Sequence, residues 1–547
     1  MLQQANILYS KGFSIIIIHI HFNSPNPQNY PHFTFSLISD GLLEHEASTT
    51  DIIHLVTLLN IKCVKPFSDG LSKLLLDVKE EPISCIITDA LWYFTQAVAD
   101  STKLPRIVLH TGDISSFLVF AAFPLLREKY FITKDFQLEE PVIETPPLKV
   151  KDLPEFKTQD LEDLHHYVAG LINESKASSG LIWNSFEELE QDSLTRLSHD
   201  FPIPIFTIGP FHKYMPASSS SLFTQDPSCL SWLDAQAPNS VLYVSFGSLA
   251  AINKNEFQEI AWGLANSNQP FLWVVRPGFI QGSECLEPLP KGFLEMVGER
   301  GYIVKWAPQQ EVLAHPATGG FWTHNGWNST LEGICEGVPM ICQPSFGDQK
   351  VIARYVSDVW KIGIHLDYML ERGKIERTIK RLMVEAEGQG MRERIMSLKE
   401  KEEDPLFPSY VTLWICIAHI ITVVIGSGVL SLAWSTAQLG FDLLCFAIVT
   451  YISAFLLSDA ISPLTFEPLN LLGAAKVIGI AANLISSSFL FIDIMLAIKD
   501  LPFQSQQIGV EAQFCVFLRL SMDLPCEEAS KTCVIAENGR IKGSITN

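Results

Sequence analysis

Positive charge is scarce in this chain of 547 residues. Lys and Arg together number 39 against 60 Asp and Glu, which gives a formal net charge of −21. A protein that binds nucleic acid needs a basic surface to neutralise phosphates, so nucleic acid is excluded as the expected partner. The amino terminus also lacks the basic stretch and the small-residue cleavage site of a secretory signal.

Closely spaced cysteines are missing as well. The 11 cysteines are scattered along the chain without any C-x-x-C pair. This spacing favours neither a zinc site nor a disulfide framework, so we expect no metal and a reducing, cytoplasmic location.

Short apolar runs alternate with helical patterns from residue 30 to about residue 211. The alternation is typical of a doubly wound parallel α/β sheet. Strands are predicted at residues 33–38, 83–88, 106–110 and 180–184. Upstream, a helical pattern that ends at Gly12 precedes a predicted buried strand at residues 13–20. Because the domain thus starts with a helix, it is predicted to lack its first strand.

A run of serines at residues 218–221 predicts a linker between two domains. We assign residues 1–210 to the first domain, 211–230 to the linker and 231–400 to a second α/β domain. There, a predicted strand at residues 241–246 leads through Gly247 and Ser248 to a helix at residues 256–266. Such a turn can face a phosphate, although Gly-Ser turns are also common punctuation.

The most informative stretch runs from Trp306 to Gln349. Within it, a buried strand is predicted at residues 318–323 and a turn at residues 324–327, and the Asn-Ser-Thr run at residues 328–330 offers side chains that cap a helix. Gly337 would end this helix before a strand at residues 338–342. A helix start presents unpaired N–H groups and a partial positive charge, so the stretch predicts a site for an anion such as phosphate.

The same stretch carries an ordered series of signatures. They are W-A-P-Q at 306–309, G-G-F at 319–321, T-H-N-G-W-N-S at 323–329, G-V-P-M at 337–340 and D-Q at 348–349. The series resembles the plant secondary-product glycosyltransferase box of the family-1 UDP-glycosyltransferases. The resemblance implies two Rossmann-like doubly wound domains that face each other across a cleft, the GT-B arrangement. It also implies inverting transfer of glucose from UDP-glucose to a hydroxyl of a small plant metabolite, without a cofactor or a metal. In the family, a terminal Gln is associated with glucose rather than galactose.

By this resemblance, eleven residues bind the UDP-sugar. They are Ser248, Trp306, Ala307, Gln309, His324, Trp327, Asn328, Ser329, Glu332, Asp348 and Gln349. In the family, the Trp before Ala-Pro-Gln stacks on uracil, the Glu accepts hydrogen bonds from the ribose, and the Asp-Gln pair holds the sugar. The His, Asn and Ser residues contact the diphosphate. Two plain alternatives stay open, because Trp306 could belong to the core and Glu332 to a solvated helix face. We assign His315, Trp322 and Trp327 mainly to packing, with the backbone of Trp327 as its contact to phosphate.

Asp89 directly follows an apolar strand, at a carboxyl end where open α/β sheets bind ligands. The resemblance implies that Asp89 orients a catalytic His and stabilises its charged form. The alternative is an Asp that caps a helix beginning near Trp92. In the family this His lies just before the first helix, so we expect it to be absent from this chain. His19 and His21 belong to the second strand and its end, which is the wrong element for that base.

Near residue 404 the resemblance to the glycosyltransferases stops. Residues 409–441 contain no Asp, Glu, Lys or Arg, and this run is long enough to cross a bilayer. Residues 418–440 resemble the first membrane helix of plant amino acid permeases, and residues 536–546 resemble a later loop of that family. With two shorter apolar runs at 443–458 and 477–492, residues 401–547 are predicted to form a mainly helical, membrane-like tail that contacts a membrane through residues 409–492.

Three functions therefore stay open at the level of sequence. The first, which we favour, is a glucosyltransferase with a cytoplasmic catalytic region. The second is a membrane protein related to amino acid transporters. The third is a catalytically impaired UDP-sugar binder, which a chimeric chain with two altered ends would explain.

Overall fold

The computed structural model describes residues 1–403, except residues 23, 48, 50, 78–82, 133–136, 157, 159–160, 215–222, 249, 281–288 and 367–368. The predicted membrane runs and the permease-like pieces of the tail lie outside the described residues, as does the serine run of the predicted linker. Within the described part, none of the helices combines the length and the apolar character needed to cross a membrane.

Contacts divide the chain into two compact units. One unit comprises Met1–Asn6 and Ile15–Val424, and it contains every strand described below. The other comprises Ile7–Ser14 and Ile425–Asn547, of which the structure describes only residues 7–14, the end of a helix and the turn at Gly12.

The first half of the larger unit alternates strands and helices, as the sequence predicts. Its strands are β1 (Ile16–Ile20), β2 (Thr34–Ile38), β3 (Ile86–Asp89), β4 (Arg106–His110), β5 (Gly180–Trp183) and β6 (Ile205–Thr207). Its helices are α1 (Leu2–Ser10, which continues into the smaller unit), α2 (Glu44–Ala47), α3 (Ile52–Lys62), α4 (Val64–Asp77), α5 (Thr95–Thr102), α6 (Ile114–Ala121), α7 (Phe123–Leu126), α8 (Leu161–Lys176), α9 (Glu187–Asp200) and α10 (Phe211–Tyr214). The predicted strands are present, although β1 and β3 each begin three residues later than predicted.

The second half repeats this alternation. Its strands are β7 (Val241–Ser245), β8 (Phe271–Val274), β9 (Gly301–Val304), β10 (Thr318–Thr323), β11 (Met340–Cys342) and β12 (Gly363–His365). Its helices are α11 (Ser228–Asp234), α12 (Lys254–Ser267), α13 (Phe293–Val297), α14 (Gln309–Ala314), α15 (Trp327–Cys335), α16 (Gln349–Arg354), α17 (Arg372–Met383) and α18 (Ala386–Glu403). The fold class is therefore α/β, as predicted, while the predicted domain boundaries and the predicted lack of a first strand stay predictions.

The order of the strands in the sheet predicts where a ligand binds. In the second half, six parallel strands form one sheet in the order β12-β11-β10-β7-β8-β9. The direction of winding reverses between β7 and β10, and ligands of open α/β sheets bind at the carboxyl ends of strands at such a point. In the first half, the described strands form two parallel sheets, β1-β2 and β3-β4-β5-β6.

Both faces of the six-stranded sheet are covered. Along β7 and β8, Tyr243 and Leu272 join one apolar cluster, while Leu242 and Trp273 join another. Successive side chains of a strand point to opposite faces, so these strands read as continuous apolar runs, as expected for a parallel sheet between two helical layers.

One helix prediction in this half is wrong. The charged run at residues 375–387 predicts a single helix, but α17 ends at Met383 and α18 begins at Ala386. Val384 leaves the helical conformation with φ −121°. A Cβ atom at Gly388 would lie 1.9 Å from the carbonyl oxygen of Leu382, so only glycine lets the two helices meet this closely.

Candidate functional site

A cavity of about 320 Å³ opens at the carboxyl ends of β7 and β10. Nine of the predicted binding residues line it, namely Ser248, Trp306, Ala307, Gln309, His324, Trp327, Asn328, Ser329 and Glu332. Residues far apart in sequence thus converge on one concave site, where the topology predicts a ligand.

Two glycine turns hold His324 at the cavity. Gly247 has φ +70°, and a Cβ atom there would lie 2.6 Å from Cε1 of His324. A Cβ atom at Gly326 would likewise lie 2.6 Å from Nε2 of His324. Burial, assisted by the charge of Arg276, lowers the pKa of His324 to about 4. The imidazole is therefore neutral at pH 7, so it can offer an N–H dipole rather than a full charge.

Arg276 is a site residue that the sequence reasoning missed. Its Nε donates to the carbonyl oxygen of Gly247 at 2.9 Å, and its Nη2 donates to that of Ala250 at 2.5 Å. Only 7% of the residue is exposed. Its position soon after the buried strand β8 could have identified it, because such residues lie at the ligand edge of the sheet. The guanidinium fixes the Gly247 turn and brings a positive charge close to His324.

The start of α15 differs from the prediction in its cap. The helix begins at Trp327 with Gly326 as N-cap residue, and no side chain caps it. The expectation that residues 328–330 supply the cap is wrong, because these residues already lie in the first turn. The Asn328 side chain accepts a hydrogen bond from Asn184 at 3.1 Å, and Ser329 Oγ accepts one from Gln309 at 3.0 Å. The uncapped N–H groups at this end face the anion site that the sequence predicts.

A network of side chains surrounds Glu332. Gln309 donates to one carboxylate oxygen at 2.6 Å, and Gln310 donates to the other at 2.8 Å. Burial raises the pKa of Glu332. Glu332 is half-buried, and it lines the cavity. The alternative that Glu332 lies on a solvated helix face therefore does not fit the structure.

Trp306 is half-buried and lines the same cavity. The centroid of its ring lies 4.8 Å from that of Phe223, with the rings tilted by 47°. Its carbonyl oxygen accepts a hydrogen bond from the N–H of Asp226 at 2.9 Å. Phe223 and Asp226 belong to the predicted linker, so that segment contributes to the surroundings of the site.

Asp348 and Gln349 do not line this cavity. Gln349 begins α16, and its Oε1 accepts hydrogen bonds from the N–H groups of Ser345 at 2.8 Å and Phe346 at 3.2 Å. The side-chain oxygen is thereby used to hold the turn, and the Nε2 group is the part that can donate to a ligand.

Asp348 faces the first half of the molecule. Its Oδ2 lies 3.5 Å from the place that a Cβ atom would take at Gly112. Burial, together with the neighbouring charge of Asp113, raises the pKa of Asp348 to about 7. Asp113 caps α6 by accepting the N–H of Ser116 at 2.7 Å. Two carboxyl groups of different halves therefore influence each other here.

Asp89 is the last residue of β3. Its carboxylate accepts the N–H of Leu91 at 2.9 Å, and burial raises its pKa. The alternative of a helix cap is wrong, because α5 begins at Thr95 and its N-cap residue is Phe94. The predicted role of Asp89 in catalysis stays a prediction. His19, on β1, is within hydrogen-bonding distance of Ser24, with 2.8 Å between Nδ1 and Oγ.

The helix that follows Asp348 is joined to the first half by two ion pairs. Arg354 donates to Asp152 at 2.6 Å, and this carboxylate is fully buried. Lys350 pairs with Glu155 at 2.6 Å, and the carbonyl oxygen of Glu155 accepts the N–H of Gly347 at 2.9 Å. These contacts set the position of the Asp348–Gln349 turn relative to the first half.

Comparisons with known proteins agree with this geometry. The family model described as UDP-glucoronosyl and UDP-glucosyl transferase matches residues 198–415. UDP-glycosyltransferase 76B1 of Arabidopsis thaliana is 56% identical over 408 residues, which cover 74% of this chain and 90% of that protein. UDP-glycosyltransferase 76G1 of Stevia rebaudiana is 47% identical over 432 residues, which cover 77% of this chain and 93% of that protein.

A solved structure shows the same architecture. Phytolacca americana UGT2, complexed with UDP-2fluoro-glucose and pterostilbene, matches with a TM-score of 0.64 at 27% sequence identity, covering 76% of this chain and 94% of that one. The fold is therefore of the GT-B type, and the activity is transfer of a sugar from a UDP-sugar to a small molecule. The chain is 56% identical to UDP-glycosyltransferase 76B1 and covers 90% of that protein, so it belongs to the plant family-1 UDP-glycosyltransferases.

Proposed function

We propose that the transferred sugar is glucose, and that it passes from UDP-glucose to a hydroxyl group of a small plant metabolite with inversion at the anomeric carbon. The observation that carries this proposal is the cavity at the uncapped start of α15. The solved complex of Phytolacca americana UGT2 with UDP-2fluoro-glucose supports glucose as the sugar.

The cavity offers a separate partner for each part of UDP. Trp306 stacks on uracil beside Ala307 and Gln309, and Glu332 accepts hydrogen bonds from the ribose hydroxyls. A base stacked on an aromatic side chain gains about 1–3 kcal/mol. Gln309 and Gln310 already hold the Glu332 carboxylate in place. The Glu332 side chain therefore loses little conformational entropy when the ribose binds.

The diphosphate occupies the turn between β7 and α12 and the start of α15. Ser248, His324, Asn328 and Ser329 line the cavity at this point. Together with the uncapped N–H groups of α15, they supply hydrogen-bond donors where UDP gains negative charge as it leaves. Donors that are already oriented stabilise such a developing charge without reorganisation.

The sugar lies beyond the diphosphate, against Asp348 and Gln349. The fixed orientation of the Gln349 amide directs its Nε2 donor to a sugar oxygen, and the ionised Asp348 carboxylate accepts from sugar hydroxyls. The raised pKa of Asp348, about 7, makes this part of donor binding sensitive to pH.

The reaction is a single displacement. A general base removes the proton of the acceptor hydroxyl, and the resulting oxygen attacks the anomeric carbon of glucose. The bond from this carbon to the diphosphate oxygen breaks, and its electron pair leaves with UDP. The family's base is a His that we expect to be absent from this chain, so turnover requires another base. Asp89 is the described carboxylate that we assign to orient this base and to stabilise its protonated form.

The proposal is tested by following UDP release from UDP-glucose and from UDP-galactose with a panel of flavonoid, terpenoid and hormone hydroxyls. We expect turnover with UDP-glucose above that with UDP-galactose, and a β-glucoside by NMR, because inversion of an α-linked donor gives the β anomer. A product with the α configuration would contradict inversion.

Asp89→Asn serves as a control in the same assay. We expect it to lower turnover and to leave the affinity for UDP unchanged, because Asp89 lies outside the UDP cavity. If the wild-type protein binds UDP in calorimetry but releases none with any acceptor, the chain is a UDP-sugar binder rather than a transferase.

A further inference from the structure

We infer that Asn184, in the first half, is a positioning residue for the donor diphosphate. It holds the side-chain amide of Asn328 in the orientation that leaves the NH₂ group of Asn328 available to the cavity. The inference rests on the proposed function, since Asn328 is assigned there to the diphosphate. Asn184 does not line the cavity and acts through its contact with Asn328.

Every polar group of Asn184 is engaged. The residue directly follows β5 and is 6% exposed. Its backbone N–H donates to the carbonyl oxygen of His110 at 3.3 Å, and its own carbonyl oxygen accepts from Nε1 of Trp327 at 2.8 Å. Its side-chain Oδ1 accepts from the N–H of Phe211 at 2.9 Å, and its Nδ2 donates to Oδ1 of Asn328 at 3.1 Å.

These contacts determine which way both amides point. A backbone N–H can only donate, so the Phe211 contact requires the oxygen of Asn184 on that side and its NH₂ group on the other. An NH₂ group also only donates, so Asn328 must present its oxygen to Asn184. The Nδ2 group of Asn328 is then the part of the amide left for the cavity that Asn328 lines.

This orientation matters because a diphosphate only accepts hydrogen bonds. An Asn328 amide turned by 180° would present an oxygen to the phosphate oxygens and would repel them. The position of Asn184 is itself tightly constrained, since a Cβ atom at Gly209 would lie 2.6 Å from Oδ1 of Asn184. A residue of the first half therefore determines whether Asn328, in the second half, presents a donor or an acceptor to the diphosphate.

The decisive variant is Asn184→Asp, which keeps the shape of the side chain and the acceptor for Phe211 but removes the donor to Asn328. The Asn328 amide then turns its NH₂ group to the new carboxylate. We expect the Kd for UDP and the KM for UDP-glucose to rise about tenfold or more, as for the loss of a hydrogen bond to a charged group. We expect kcat at saturating donor to fall as well, because the Asn328 donor also stabilises the charge that UDP gains as it leaves.

A double-mutant cycle with Asn328→Ala separates this route from a direct effect of the new charge. If Asn184 acts through Asn328, Asn184→Asp adds little to the loss of UDP affinity once Asn328 is Ala. An equal loss in both backgrounds would overturn the inference. Asn184→Ala is the uncharged second variant, and wild-type UDP affinity in that protein would also overturn it.

Asn60→Asp is the matched control. Asn60 is buried, accepts the N–H of Phe94 at 3.2 Å and donates to carbonyl oxygens of Val56 and Leu91. A thermal melt without UDP compares the structural cost of the two substitutions, and only Asn184→Asp should weaken UDP binding. Absence of UDP binding by the wild-type protein would overturn the proposed function itself, whereas normal binding by both wild-type and Asn184→Asp protein would overturn this inference alone.

Discussion

The two halves of the molecule contribute to the site in different ways. In the second half, one continuous six-stranded sheet presents a donor cavity whose residues come mostly from a single stretch, Trp306 to Glu332. In the first half, the contributions are single residues at the ends of separate strands, namely Asp89 in β3, Gly112 after β4 and Asn184 after β5. A local sequence motif can therefore specify the donor site, but the residues that meet it from the other half are brought there only by the topology.

The junction between the halves should show the largest effect on stability. Arg354→Ala leaves the fully buried Asp152 carboxylate without its cationic partner and with the N–H of Lys149 as a remaining hydrogen-bond donor. Breaking a buried ion pair in this way costs about 3–5 kcal/mol. Urea unfolding of the UDP-free protein measures the change in the free energy of unfolding.

The matched control is Arg372→Ala. Arg372 pairs with Glu259 at 2.5 Å, but 49% of its side chain is exposed, so this pair contributes only about 0–1 kcal/mol. If Arg354→Ala were no more destabilising than Arg372→Ala, the buried pair would not be what joins the halves.

Within the second half, Trp306→Ala tests whether the donor site depends on stacking. Losing about 1–3 kcal/mol of stacking raises the Kd for UDP by about 5–150-fold. Calorimetry with UDP measures this change, and Trp306→Phe, which keeps an aromatic ring, should lose less. Equal affinity of the Ala and wild-type proteins would assign Trp306 to packing beside Phe223 instead.

The smallest expected effect links the two halves through pH. Sugar hydroxyls donate to the ionised Asp348 carboxylate, so the KM for UDP-glucose should rise as the pH falls through about 7. Asp113 raises the pKa of Asp348, so Asp113→Asn lowers that pKa and lets the ionised form persist to lower pH. We expect the midpoint of the KM profile to move to lower pH by less than about one unit.

Asn is also a good N-cap residue, so Asp113→Asn keeps the start of α6 intact. The Asp348→Asn protein should lose the pH dependence of KM in this range. An unchanged midpoint in the Asp113→Asn protein would show that the charge of Asp113 does not affect the pKa of Asp348.

The sequence predicted the strands, the turn and the helix around the cavity of the second half because these signals are local. The strand before His324, the turn at Gly326 and the end of α15 near Gly337 follow from apolar runs and glycines that are neighbours in the chain. The cap of α15 was predicted wrongly because Asn328 and Ser329 have the side chains of cap residues, and only the long-range contacts with Asn184 and Gln309 show that they are used otherwise.

Arg276, Asp113 and Asn184 were missed although a signal existed. Arg276 and Asn184 come at or just after the ends of buried strands, as Asp89 does, and the rule that ligands lie at carboxyl ends applies to them equally. That rule does not predict which of these residues contact the other half of the molecule, because it says nothing about how the two halves pack against each other.

By itself, the sequence determined the α/β class, the family resemblance and most of the predicted residues that line the cavity, since strand periodicity, glycine turns and a contiguous motif are properties of neighbouring residues. Only the tertiary structure decided which end of the Asn328 amide faces the cavity, why Asp348 has a raised pKa and which ion pairs join the halves. Each of these depends on contacts between residues more than a hundred positions apart, which burial and strand order bring together.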